Sequence, residues 1–380
     1  MSEKTRYASV GEISYERSER IDSPSTSEIK RFVGLEHFDQ GNLDIVRFGS
    51  CVDLGSTMKK CVAGDTLIAR RNVYLNRASR CNFDALCSGD AIVLRENECV
   101  VPGFLSILFN SDSFWKFASS NADGTMSKRL SVSHLKSYEF CLPSVENQKK
   151  FVDLIWKLEN LKTKLVMELE NLNLLIKSQF IEMFGSEDNP KYGLSTISDL
   201  VSNDIEKVTK SFNQEDTIRY IDISSIDKES KSIVGMSDFL VKDAPSRAQQ
   251  CVMSGDILLS NVRPNLKTIA IVDSDENNLV CSSGFTVLRC EKCPPEYLIT
   301  AIIDDGFTKK LMLNATGSSY PAVTTKIVLS STIPSAPLDL QNQFTDFVKQ
   351  VDKSKFELQQ HIDNTKKLQK TIINSIFQEP

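Results

Sequence analysis

Apolar side chains recur alternately three and four residues apart from Leu142 to Gly185, at Ile155, Leu158, Leu165, Leu169, Leu172, Ile176 and Met183, and only Lys162 and Gln179 interrupt the series. No Gly or Pro falls between Val145 and Phe184, and Lys and Glu fill the other faces. The spacing predicts one amphipathic helix from Glu146 to Phe184, roughly 55 to 60 Å long, whose apolar stripe needs a partner helix.

A partner is present in the same chain. From Ala336 to Phe377 a proline is followed by an Asn-Gln pair and then a seam at Phe347, Val351, Leu358, Leu368 and Ile372, with Ser354, His361, Thr365 and Ser375 at the remaining seam positions. Asn147-Gln148 matches Asn342-Gln343, and Met183-Phe184 matches Ile376-Phe377. Two such stretches about 195 residues apart suggest a duplication of the whole chain.

The intervening segments repeat as well. Val10-Gly11-Glu12-Ile13 corresponds to Ile197-Ser198-Asp199-Leu200 at a shift of 187, and the strand-like run from Arg31 to Asp39 corresponds to Arg219 to Asp227 at 188. Gly64-Asp65 corresponds to Gly255-Asp256 at 191, and Cys87-Ser88 with Val93-Leu94 corresponds to Cys281-Ser282 with Val287-Leu288 at 194. The steady drift in one direction is what loop insertions in a duplicated domain produce. Alternation and turn residues predict a strand at Arg31–Asp39, a turn followed by a strand over Val62–Ala69, a further strand at Cys87–Leu94, and a helix from Pro102 to about Ser119.

These elements predict an α+β protein of two globular α/β domains of duplicated origin, at 1–141 and 186–335, joined by two long helices at 142–185 and 336–380. A helix that carries the chain away and a second that carries it back would pair antiparallel, giving a pseudo-two-fold arrangement with the globular domains at opposite ends. The expected helix-pairing residues are Ile155, Leu158, Leu165, Leu169, Leu172 and Ile176 on the first helix and Phe347, Val351, Leu358, Leu368 and Ile372 on the second.

Composition narrows the function classes. At 380 residues, with 41% hydrophobic and 25% charged residues, the chain fits a soluble protein of two cores. No apolar run approaches the length of a membrane span and no export signal opens the sequence, so a cytoplasmic protein without membrane contact is expected. Ten scattered cysteines fit reduced thiols; Cys290 and Cys293 form the one close pair but lack a second ligand pair for zinc. A net charge of −5 disfavours a protein that coats nucleic acid over its whole surface, yet leaves room for local basic loops.

Catalytic patterns are absent. The sequence holds neither a phosphate-binding Gly-x-x-x-x-Gly-Lys-Ser/Thr loop nor a dinucleotide Gly-x-Gly-x-x-Gly motif, so no cofactor is expected in this chain. Asn189-Pro190-Lys191-Tyr192 is read as a turn, the acids and lysines of Asp227 to Lys231 as a solvated turn, and His361 as a seam residue. Basic and amide residues instead recur in corresponding loops. The candidates for DNA contact are Lys59, Lys60, Arg70, Arg71, Asn72, Ser127, Lys128 and Arg129 in the first repeat. Those of the second are Arg263, Asn265, Lys267, Ser318, Ser319, Tyr320 and Lys326. Arg pairs with guanine edges, Asn with adenine, and Lys or Ser with phosphate.

With both repeats laid out, the chain resembles the specificity subunit of a type I restriction-modification enzyme over nearly its full length. In the first repeat the resemblance rests on Val33-Gly34-Leu35-Glu36-His37, Gly64-Asp65-Thr66-Leu67 with Arg70-Arg71-Asn72-Val73-Tyr74-Leu75, Cys87-Ser88-Gly89-Asp90, and Ser127-Lys128-Arg129. In the second it rests on Ala244-Pro245-Ser246-Arg247-Ala248, Gly255-Asp256-Ile257-Leu258-Leu259-Ser260 with Val262-Arg263-Pro264, and Pro321-Ala322-Val323. The resemblance implies two target-recognition domains that each read half of a bipartite site in double-stranded DNA. It further implies that the two helices set the half-site spacing and dock two methylation subunits. S-adenosylmethionine, ATP and Mg2+ would then belong to those partners and to restriction/translocase subunits. The competing reading is a coiled-coil scaffold with protein-binding globular ends, which a salt-insensitive DNA affinity would favour.

Overall fold

The computed structural model describes residues 6–125, 127–202, 204–228, 230–317 and 319–377, so Ser318 lies outside the described residues. The chain divides into two compact units, one of Met1–Glu168 with Glu357–Pro380 and one of Leu169–Phe356. Each unit therefore takes half of each long helix, which run over Val145–Phe184 and Leu338–Ile376.

Both units are built alike. In the first, Arg6–Ser9 pairs antiparallel with Glu139–Leu142, and Val10 N donates to Tyr138 O at 3.0 Å. In the second, Leu194–Thr196 pairs with Thr332–Pro334, and Ile197 N donates to Ser331 O at 3.0 Å. A parallel pair follows in each: Phe32 and Val33 lie beside Leu86 and Cys87, and Tyr220 and Ile221 beside Val280 and Cys281. The two Gly-Asp sequences make the same turn. Gly64 and Gly255 both have positive φ, at 91° and 86°, where a Cβ would be strained. Asp65 accepts from Val62 N and Arg95 Nε, and Asp256 accepts from Met253 N and Arg289 Nε. Both carboxylates are fully buried, and the arginine is what makes that burial tolerable.

Aromatic residues close each core onto the helices. In the first unit Phe151, near the start of the first long helix, lies 6.2 Å from Phe377, just past the end of the second, and both pack on Phe104 at 5.7 Å. In the second unit Phe184, ending the first helix, lies 5.5 Å from Phe344, early in the second, and 4.9 Å from Tyr297. Every member of one trio corresponds to a member of the other at a shift of 193. Gly185 ends the first helix with φ +82°, and a Cβ there would meet Asn189 O at 2.2 Å, so the turn requires glycine.

That shift corrects the register read from the Asn-Gln pairs. Gln148 and Gln341 are the buried equivalents: each side chain donates at 2.8 Å to the carbonyl five residues back, Pro143 and Ala336, at the mouth of its helix. Asn342 and Gln343 are exposed instead. On the second helix the buried positions are Gln341, Phe344, Thr345, Val348, Val351, Ile362, Thr365, Gln369 and Ile373, with Leu358 and Ile372 half-buried. Leu368 is 50% exposed and His361 also faces solvent, so neither belongs to the seam. Thr365 is buried at the seam position expected for it, whereas polar Gln369 takes the position that an apolarity count assigns to Leu368. On the first helix Ile155 is buried, and Leu158, Leu165, Leu169, Leu172 and Ile176 are half-buried along the expected stripe.

Several short elements also differ from the sequence reading. Arg31–Asp39 is a strand only over Arg31–Val33, because Gly34 N donates to His37 Nδ1 at 2.8 Å and folds Leu35–His37 into a 3-10 turn. The helix expected from Pro102 is two helices, Phe104–Leu108 and Asp112–Ser120, since Ser111 caps the second by accepting from Phe114 N. Cys87–Leu94 is likewise split by a turn at Ser88–Asp90 into strands Ala85–Cys87 and Ala91–Glu96.

Candidate nucleic-acid interface

One loop pair occurs at the same place in both units. In the first unit the strand Thr66–Ala69 runs into Arg70 and Arg71, then Asn72 turns left-handed at φ 55°, Val73–Leu75 forms one 3-10 turn, and Asn76 turns left-handed at φ 48°. In the second unit the strand Ile257–Ser260 runs into Asn261 and Val262, then Arg263 turns at φ 51°, Pro264–Leu266 forms the 3-10 turn, and Lys267 turns at φ 48°. Left-handed backbone is unremarkable for asparagine but costly for arginine and lysine. The surroundings must hold the second loop in place.

A seven-residue hairpin provides that support. Asp123 and Arg129 exchange backbone hydrogen bonds at 2.9 and 2.8 Å, as do Thr316 and Ala322 at 2.9 Å. Asn72 N then donates to Lys128 O at 2.9 Å, and Arg263 N donates to Pro321 O at 2.7 Å. Cations brace the loops from behind. Arg77 donates to Arg71 O at 3.4 Å and to Leu35 O at 2.9 Å, and burial pushes its guanidinium below the ordinary arginine value. Lys231 donates to Lys267 O at 2.9 Å, and burial lowers its ammonium too.

On this common frame the side chains differ. In the first unit Arg71 Nε donates to Ser127 Oγ at 3.0 Å and Ser127 Oγ donates to Asn72 Oδ1 at 3.1 Å. Asp90 lies 3.8 Å from both Arg71 and Arg129. Arg71, Lys128 and Arg129 are exposed, Arg70 is half-buried, and Tyr74 stands at the tip with 66% exposure. In the second unit the Arg263 guanidinium lies over the Tyr320 ring at 4.4 Å, and Arg263, Asn265, Ser319 and Tyr320 are all exposed. Lys267 ion-pairs with Asp305, and that lysine is the main cause holding the Asp305 carboxyl below its ordinary value.

The structure thus gathers Arg70, Arg71, Asn72, Ser127, Lys128 and Arg129 into one surface, and Arg263, Asn265, Lys267, Ser319 and Tyr320 into its counterpart. Three expected residues fall elsewhere. Lys59 is buried and donates to Ala91 O at 2.8 Å, so it faces away from any ligand. Lys60 pairs with Glu19 across a strand edge at 2.9 Å. Lys326 is exposed in the first turn of the helix Thr325–Ser330 that follows the hairpin. Tyr74, Asn76, Arg77 and Asp90 were missed; the constant shift of 191 between Asn72–Asn76 and Arg263–Lys267 was the signal that could have found the first two.

Exposed guanidinium, amide, hydroxyl and ammonium donors on rigid loops suit a polyanion with readable edges. The segment from Asp227 to Lys231 is a turn as expected, in which Asp227 accepts from Ser230 N and Oγ, with Glu229 outside the described residues. Among the described residues no group of three or more His, Cys, Asp or Glu side chains could hold a metal ion, and no helix is long and apolar enough to cross a membrane.

Two copies of one fold, each presenting the same loop pair with different exposed donors, define a duplicated protein. Residues 191–367 match the type I restriction modification DNA specificity domain. Over 129 residues the chain is 30% identical to the type I restriction enzyme HindI specificity subunit of Haemophilus influenzae, a match that covers 33% of this chain and spans 28% of that subunit's length. The fold likeness is wider. A chain from a type I restriction-modification system, solved for its complex assembly and conformational transition, matches 99% of this chain and 98% of its own, with 18% identity and a TM-score of 0.53. The type I restriction-modification S subunit from M. genitalium matches 100% and 98%, with 11% identity and a TM-score of 0.54. Residues 191–367 thus carry the likeness to a type I restriction modification DNA specificity domain, and the chain shares its fold over nearly its whole length with the solved chains of such systems.

Proposed function

We propose that each unit reads one half of a bipartite site in double-stranded DNA through its loop pair, while catalysis is left to partner subunits. The observation that carries this reading is the repeated frame itself: two left-handed residues around a 3-10 turn, tied to a seven-residue hairpin, with exposed Arg, Asn, Ser, Lys and Tyr at its surface. A scaffold has no need to build the same basic and amide-rich loop pair twice.

The long helices would set the half-site separation and dock two methylation subunits that carry S-adenosylmethionine. Restriction/translocase subunits using ATP and Mg2+ would join for cleavage. Support for docking comes from the first helix, where Leu154, Leu161, Met167, Leu174, Leu175 and Ile181 are exposed outside the seam. An outward apolar stripe of this kind suits a partner helix.

Co-expression with a methylation subunit in a methylation-free host, followed by mapping of modified adenines, tests the proposal. A split motif with a fixed spacer is expected, together with a DNA affinity that falls steeply with salt. A stable complex that leaves no modified bases and binds DNA without salt dependence would return the chain to the scaffold class.

A further inference from the structure

The two loop pairs share a backbone and differ in chemistry at most exposed matched positions, and one difference concerns the state of an arginine. In the first unit Asp90 lies 3.8 Å from Arg71 and Arg129 and tempers both. At the shift of 194 that relates these turns, the second unit has Gly284 in place of Asp90. Lys267, the neighbouring cation of that loop, is occupied by Asp305. Arg263 has no described carboxylate within ion-pair distance, and it is exposed. It is also held in place. Its left-handed backbone is pinned by the hydrogen bond to Pro321 O at 2.7 Å, and its guanidinium lies 4.4 Å from the centre of the Tyr320 ring.

A guanidinium lying on an aromatic face keeps its in-plane N–H donors for another partner, and stacking removes much of the rotamer freedom that binding would otherwise cost. Two parallel donors on a rigid plane match the O6 and N7 acceptors of guanine in the major groove, whereas a phosphate-binding cation needs no such plane. Resting on the DNA-reading function proposed above, we propose that Arg263 reads a guanine in the half-site taken by the second unit, with Tyr320 as its positioning residue. The first unit, whose arginines share Asp90, reads its half-site by other contacts.

The test is adenine-modification mapping with the intact complex of this chain and its methylation subunit, comparing wild type with Arg263→Ala, Arg263→Lys, Tyr320→Ala and Tyr320→Phe. The wild type is expected to show a fixed guanine in one half-site. Arg263→Ala and Arg263→Lys should lower the preference for that base pair roughly 10- to 100-fold and leave the other half-site unchanged. Tyr320→Ala should weaken the same preference, and Tyr320→Phe, which keeps the ring, should restore it. If Arg263→Ala modified the wild-type motif unchanged, or lost modification equally at all sequences with a shallower salt dependence, Arg263 would be a bystander or a phosphate contact and the assignment would fall. A wild-type complex with no split motif would overturn the underlying function and this inference with it.

Discussion

A Cβ at position 317 would sit 2.9 Å from the Tyr320 carbonyl oxygen, on a backbone with φ +89°. Gly124 meets the same constraint in the first unit, at 3.3 Å from Ser127 O with φ +100°. Each glycine lets its hairpin close tightly enough to support the adjoining left-handed residue. Gly317→Ala is therefore expected to shift the Tyr320 backbone and weaken DNA binding, while costing only about 1 to 2 kcal/mol of stability, because the hairpin is at the surface. Thermal unfolding and a binding titration on one preparation would separate the two effects; a large loss of stability with unchanged affinity would contradict this account. The residue chemistry was legible in the sequence, since Arg263, Asn265 and Tyr320 stood out as exposed-type donors. Their mutual placement was not, because the stack joins residues 57 apart through a hairpin whose geometry local composition does not encode.

The helices show why element-level pattern reading succeeds for one and slips for the other. The first has apolar residues at nearly every seam position, so periodicity alone locates its buried face. The second buries Gln341, Thr345, Thr365 and Gln369 and exposes Leu368, so counting apolar residues selects a neighbouring stripe. For Gln369 the reason is found on the first helix. Glu159 and Lys162 are both 5% exposed; the Glu159 carboxylate accepts from Lys162 Nζ at 2.7 Å, Gln369 Nε2 at 2.9 Å and Leu43 N at 3.2 Å, and Lys162 also donates to Asn42 at 3.0 Å. This network joins the two helices and a loop of the first unit at one register, which is the best-attested use of buried polar groups in helix pairs. Glu159→Ala should destabilise by about 3 to 5 kcal/mol, because it strands a buried ammonium. The double replacement Glu159→Leu with Lys162→Met should cost less than the sum of the single changes, and additive losses in denaturant titrations would show that the pair is not coupled.

At the scale of the whole molecule, the proposed spacing function makes the length of the helices a functional quantity. Removing one heptad from both long helices keeps the seam in phase and shortens each by about 10 Å, roughly three base pairs of DNA. The modified motif is expected to keep both half-sites and lose about three base pairs of spacer; an unchanged spacer would refute the helices as the ruler. The heptad must leave both helices, since a deletion from one would break the pairing that the aromatic trios and Glu159 network fix.

The sequence by itself determined that the chain is a duplication, that two long helices belong to it, and which loops carry basic and amide residues. Periodicity and repeated motifs are local properties, and they survive without knowledge of distant contacts. Only the tertiary structure decided the register of the second helix, the inward direction of Lys59, the break of three apparent elements at Gly34, Ser88–Asp90 and Ser111, and the seating of Arg263 on Tyr320. Each of these depends on where a short segment finds its hydrogen-bond or ring partner. A turn of a few residues has too little pattern of its own to choose one, so the choice is made by packing against the rest of its unit.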